Sequence, residues 1–381
     1  MNDPKLRRPI FRHRAWERER PLSRRRWLGW SAGLAVTAAG CLRSKNTTRS
    51  GRQLRVFNWS DYIDEEVIAQ FEQKTGCTIV YDNYSSDSEL ETRLATAAGS
   101  YDVVFPSDRA LAALLAKKLL QPLNRERLPN FRHLDPQFLS PPVDPENRFS
   151  VPYFWGTLAV GVRTDKIGAE QGGWDALFDS KNRGRITMLD DMENVVAATL
   201  SYLGFPLNSV EPDHLMAAER LLIKQRPLVQ AYTSDSYRER LISGEAWTAL
   251  GWSGDLLQAD GELKAMKETG NRERGARVRT IVPASGTMLW LDSMVIPAAA
   301  SNVELAHEFI NHLLDPAIAV LNAEKVNYAT PNLAAKSLLP PKMLADESIY
   351  PRAEVLKKCE WLKDRGAGIE RIERVWRVVR G

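Results

Sequence analysis

Apolar and polar positions along this chain switch between two periods. Short, mostly apolar runs at residues 54–57, 77–81, 102–105, 186–189, 246–250 and 286–289 predict buried strands. Stretches with helical spacing lie between them. Residues 64–75 put Val67, Ile68 and Phe71 on one face and meet a stop at Gly76. Ser88-Glu89-Leu90-Glu91 has the form of a capping box and opens a helix towards Ala98. Further helices are predicted over 110–120, 174–178, 193–203, 212–225, 237–242, 261–268 and 303–314. The last carries Leu305, Phe309, Leu313 and Leu314 on one side. Residues 121–150, rich in Pro, Asn and Asp, read as an extended surface passage. Two apolar segments are longer: 151–162, interrupted by two glycines, and 288–297. Each is long enough to cross between lobes. The pattern predicts an α/β protein of two lobes joined by hinge crossings, with a ligand cleft between them.

The residues that end these strands are unusual in kind. The first run leads into Trp59, the fourth into Asp190-Asp191, the fifth into Gly251-Trp252, and the sixth into Trp290-Leu291-Asp292; the third ends on Pro106-Ser107. In α/β sheets ligands sit at the carboxyl ends of strands. An aromatic face beside a carboxylate attracts an organic ammonium ion. The arrangement predicts a small cationic ligand.

Length and charge sharpen this picture. The 381 residues suffice for two domains, and 44% hydrophobic with 26% charged content is ordinary for a globular protein. The formal net charge of +4 is misleading: residues 1–40 hold ten Lys/Arg and three acids, so the rest carries a net −3. A mildly acidic body gives no reason to expect nucleic-acid binding. Within the basic head, Ser23-Arg24-Arg25-Arg26-Trp27-Leu28 resembles a twin-arginine export signal. The apolar run at 27–39 is too short to span a bilayer. It ends Ala38-Ala39-Gly40-Cys41, which resembles a lipoprotein processing site with Cys41 as the acylated residue. Residues 1–40 are therefore expected to be an export signal and 41–52 a tether. Cys77 and Cys359 are expected to be two buried thiols rather than a disulfide.

Enzyme and metal signatures are weak. His307 and His312 are one residue too far apart for the zinc-binding i, i+4 pair and read as helix surface. Gly251-Trp252-Ser253-Gly254 is one residue short of a nucleophile elbow. No metal, cofactor or catalytic residue is predicted.

The body resembles the bacterial spermidine/putrescine-binding proteins of ABC importers from about Leu54 to Trp361. The likeness is carried by Phe57-Asn58-Trp59-Ser60-Asp61-Tyr62, Tyr101-Asp102-Val103-Val104-Phe105-Pro106-Ser107, Val151-Pro152-Tyr153-Phe154-Trp155-Gly156, Trp290-Leu291-Asp292-Ser293, Tyr328-Ala329-Thr330-Pro331-Asn332-Leu333-Ala334-Ala335 and Cys359-Glu360-Trp361. The resemblance implies the two-lobed periplasmic-binding-protein fold and a polyamine ligand. It also implies a membrane permease partner, action as a monomer, and a periplasmic or cell-envelope location, which the lipoprotein-type site at Cys41 would make an anchored one. Lobe 1 would comprise 53–156 plus 293–336 and lobe 2 157–292 plus 337–381. The matching cleft positions are Trp59, Tyr62, Ser107, Asp191, Trp252, Trp290, Asp292 and Tyr328. Three positions depart from the family pattern: Arg109 stands where tyrosine is common, Asn194 where an acid is common, and Leu362 where an amide is common.

A polyamine carries a full charge at each amine, so its binding site must replace the water around every ammonium. Asp292 is assigned to one amine and Asp191 to a second, with Trp59, Trp252, Trp290 and Tyr328 as walls and Tyr62 and Ser107 as hydrogen-bonding ends. The blander alternative for Asp191 is a helix cap, a role Asp190 could fill instead. Arg109 either touches ligand or pairs with an acid of the opposite lobe. Three rival functions remain: capture of a zwitterionic amine whose carboxylate meets Arg109, a clamp for a protein partner, and a glycoside hydrolase using Asp191 and Asp292.

Overall fold

The computed structural model describes residues 52–168, 172–268, 270 and 275–381. The expected export signal, Cys41 and the tether as far as Gly51 lie outside them.

The first α/β unit runs β1 (Gln53–Trp59), α1 (Glu65–Thr75), β2 (Thr78–Tyr84), α2 (Asp87–Thr96), β3 (Val103–Val104) and α3 (Asp108–Ala116). Helix α1 starts on an Asp64 cap and stops at Gly76, whose φ of 67° is the left-handed conformation glycine adopts without strain. Helix α2 is capped by Ser86, not by the predicted Ser88: the Ser86 hydroxyl accepts from the Glu89 backbone N–H, and the Glu89 carboxylate accepts from the Ser85 N–H. The passage at 121–150 is less extended than predicted, with short 3-10 turns at Arg125–Arg127, Pro129–His133 and Pro136–Phe138.

Strand β4 (Ser150–Arg163) is the predicted long crossing and is buried along its whole length. The second unit follows with β5 (Ile186–Met188), α4 (Met192–Tyr202), α5 (Pro212–Gln225), β6 (Val229–Tyr232), α6 (Tyr237–Ser243), β7 (Thr248–Trp252), α7 (Ser253–Glu268) and β8 (Val278–Ile281). Helix α7 begins directly after β7, eight residues earlier than the predicted Gly261, and includes Gly254, which packs against Tyr328. The chain returns through β9 (Met288–Val295), α8 (Val303–Leu313), α9 (Pro316–Val326), β10 (Glu360–Trp361) and a C-terminal helix, Ile369–Arg380. The C-terminal helix buries Ile372, Val375 and Val379, a helical stripe the sequence analysis passed over.

Strand order is β2-β1-β3-β9-β4-β7-β5-β6, with β8 on β4 and β10 on β9. The centre of this path is β4. Its first part, from Ser150 to Thr157, pairs antiparallel with β9, and its second part, from Leu158 to Arg163, pairs with β7 and β8. One strand thus serves two α/β lobes, as the periplasmic-binding-protein fold requires. Of the parallel strands, β1 ends on Trp59 and β7 on Trp252, while β3 and β5 stop three residues before Ser107 and Asp191.

One local expectation is corrected, and a second holds except for the depth of one thiol. His307 and His312 are buried rather than surface residues: His307 Nε2 accepts from the Asn124 N–H, and His312 Nε2 bonds the Val67 carbonyl. Both imidazoles satisfy backbone groups of neighbouring segments. Cys77 is buried and Cys359 half-buried, and both are free thiols. Among the described residues no helix is long and apolar enough to cross a membrane.

Candidate functional site

Four of the predicted residues form one aromatic wall. Trp252, at the end of β7, meets Trp290 of β9 edge-on, with ring centroids 6.1 Å apart. Trp290 meets Tyr328 edge-on at 4.9 Å, and Tyr328 meets Tyr62 at 5.5 Å. Tyr62 also packs against Tyr153 and Phe154. These edge-to-face contacts match the ring quadrupoles. Trp59 stands at the end of β1, its Nε1 donating to the Phe105 carbonyl at 3.0 Å and its ring against Tyr84 at 4.4 Å.

Two glycines position this wall. Gly156 of β4 faces Trp290 across the strand pair, and a Cβ there would overlap the indole. Gly254 lies beneath Tyr328, and a Cβ there would overlap the phenol ring. Both are required by close approach, not by backbone conformation.

Asp292 lies two residues after Trp290 and therefore on the same face of β9. It is 7% exposed, and among the described residues no Lys, Arg or His pairs with it. Burial pushes its carboxyl well above the usual range. The neighbouring Tyr62 hydroxyl offsets this in part, and Asp87, Asp108 and Asp255 add to it. The Tyr62 hydroxyl and Trp290 Nε1 are buried without a well-formed hydrogen bond. Buried donors without partners beside a buried acid are groups that a ligand's polar atoms would satisfy.

Asp255, in the first turn of α7, was missed from the sequence. It accepts from the Tyr237 hydroxyl at 2.5 Å and the Tyr328 hydroxyl at 2.6 Å, so it fixes the lower end of the wall. Burial still raises its carboxyl pKa despite both donors. The available signal was its place three residues beyond Trp252, at a strand-to-helix junction.

A second cluster surrounds Arg109. Its guanidinium contacts Asp87 at 3.2 Å, Asp191 at 3.3 Å and Glu193 at 3.3 Å. Burial alone would lower the guanidinium pKa; the Asp191, Asp87 and Glu193 carboxylates more than offset it and raise it. Ser107 caps α3 through the Ala110 N–H and donates to Asp87 at 2.8 Å. Asp191 caps α4 by accepting from the Asn194 N–H at 3.0 Å. This reverses the expectation that Asp190 would cap and leave Asp191 for ligand. Asp191 directly precedes the helix with extended backbone angles, whereas Asp190 pairs with Arg380 at 2.6 Å. Asn194 is buried with its side-chain oxygen unpartnered. Arg109 therefore bridges α3 of one lobe to the start of α4 in the other. A second bridge, Arg238 to Asp61 at 2.7 Å, joins α6 to the segment after β1.

Fold and cleft together define a two-lobed solute-binding protein. Residues 66–350 match the family of bacterial extracellular solute-binding proteins, and the chain belongs to it. It is 33% identical over 341 residues to the spermidine/putrescine-binding periplasmic protein of Escherichia coli, covering 89% of this chain and 94% of that one. It is also 33% identical over 339 residues to the putrescine/cadaverine-binding protein of Pseudomonas aeruginosa, covering 87% and 94%. The solved structure of the spermidine/putrescine ABC transporter substrate-binding protein PotD from Streptococcus pneumoniae is similar with a TM-score of 0.73. It is 30% identical and the match covers 86% of this chain and 100% of that one.

Proposed function

We propose that this protein is an extracytoplasmic solute-binding subunit that captures a polyamine between its lobes and delivers it to the membrane permease of an ABC importer. The carrying observation is Asp292: a buried acid with no cationic partner among the described residues, beside Tyr62 and on the same strand face as Trp290. A ligand ammonium supplies the missing charge, and the rings cover its methylenes. Each good cation–π contact adds roughly 0.5–2 kcal/mol. Asp292 holds one amine. Trp59, Tyr62, Trp252, Trp290 and Tyr328 line the remainder, and Asp255 supports the wall through Tyr328. Asp191, Ser107 and Asn194 act at the Arg109 bridge.

Strand β4 changes partners between Thr157 and Leu158, which supports a lobe division into 53–156 plus 293–336 and 157–292 plus 337–381. The protein acts as a monomer, binds without turnover, and is exported and held at the membrane through Cys41. The similarity to periplasmic relatives supports that location. A zwitterionic ligand is the weaker reading, because three carboxylates of the chain already occupy Arg109.

A thermal-shift screen across polyamines, amino acids and anions tests the reading. Putrescine or spermidine should raise the melting temperature. A shift with short amino acids alone would overturn it.

A further inference from the structure

The carboxylates of the cleft fall into two groups with opposite charge balance. Asp292 and Asp255 line the aromatic wall, and among the described residues neither forms an ion pair with Lys, Arg or His. Asp87, Asp191 and Glu193 converge on a single guanidinium, that of Arg109. Asp87 belongs to the second group and is near enough to the first to help raise the Asp292 carboxyl. The cleft thus presents one vacant acidic end and one end already holding a cation of the chain itself. We propose that Arg109 is a tethered stand-in for a ligand ammonium, and that it sets ligand length by filling the second acidic end. This rests on the polyamine reading above.

Two observations give the proposal its direction. The Arg109 side chain is 52% exposed while its partners Asp87, Asp191 and Glu193 are 11–17% exposed, so the guanidinium covers acids that would otherwise face the cleft mouth. The Asp87 carboxylate still has an oxygen without a partner, although Ser107 and Arg109 serve the other one. The second end is therefore acidic enough to hold an ammonium once the guanidinium is removed. With Arg109 in place, an approaching amine meets a like charge. The ligand class follows: a short alkyl diamine anchored at Asp292 is accepted, and a longer triamine whose far amine must reach Asp191 is disfavoured.

The ratio of spermidine to putrescine affinity is the readout, because loss of an interlobe bridge changes closure for both ligands alike and cancels in the ratio. Titration calorimetry on the full body should show wild type preferring putrescine by roughly tenfold or more. In Arg109→Gln, which removes the charge and shortens the side chain while keeping it polar, the ratio should move towards spermidine by roughly tenfold. Arg109→Lys should keep the wild-type preference and serves as the arbiter if the glutamine variant does not fold. A wild-type protein that binds both amines equally, or a ratio unmoved in Arg109→Gln, overturns the proposal alone. A wild-type protein that binds neither amine overturns the polyamine reading and the proposal with it.

Discussion

Gly156 and Trp290 face each other across the β4–β9 pair with no room for a methyl group between them. The Trp290 indole, proposed as a wall of the ligand site, is thus seated directly on the backbone of β4. Gly156→Ala should push Trp290 out of register with Tyr328. Overpacking of this kind costs about 1–3 kcal/mol. The expected outcome is a lower melting temperature together with weaker amine binding, read by thermal unfolding and calorimetry on the same preparation. Unchanged binding would show that Trp290 does not wall the ligand.

Much of this fold was legible because its signals are local. The apolar runs at β4 and β9 exceed ordinary strand length and had to cross between lobes, and the aromatic residues at strand ends could be read one by one. The acidic network was not legible. Asp255 acts through Tyr237 and Tyr328, which are 18 and 73 residues away. Asp87 matters only because α3 brings Arg109 to it. The sequence pattern starts α7 eight residues late, at Gly261, and nothing near Gly254 in sequence reveals that Tyr328 lies on it. Asp191 and Asp190 are chemically equivalent in sequence; backbone geometry at the start of α4 decides which one caps.

Asp292 should tie stability to pH. Its folded carboxyl is raised by burial, so the native state keeps a proton that the unfolded chain releases near pH 4. Its stabilising contribution is present below that pH and is lost as pH rises towards the folded value. Asp292→Asn mimics the protonated form. The ligand-free variant should therefore melt above wild type at pH 7, by about 2 °C or more. The difference should shrink as pH falls towards 4. A variant that melts below wild type at pH 7 would mean that Asp292 has a cationic partner in the free protein.

The Arg238–Asp61 bridge should favour closure weakly. Both lobes contribute one partner, and Asp61 is 60% exposed, so the pair contributes about 0–1 kcal/mol. Arg238→Gln should enlarge the radius of gyration of the ligand-free protein in solution scattering, with little change in melting temperature. Added salt should act on wild type in the same sense. An unchanged radius in both experiments would show that this contact does not bias the lobes.

The central claim is that Asp292 is the counter-charge of a bound ammonium. Calorimetric titration of putrescine into wild type and Asp292→Asn tests it most directly. Removing one partner of a buried charge pair costs about 2–5 kcal/mol. Saturable binding by wild type that weakens at least about 30-fold in Asp292→Asn is the predicted result. Equal affinity in the two proteins would contradict it.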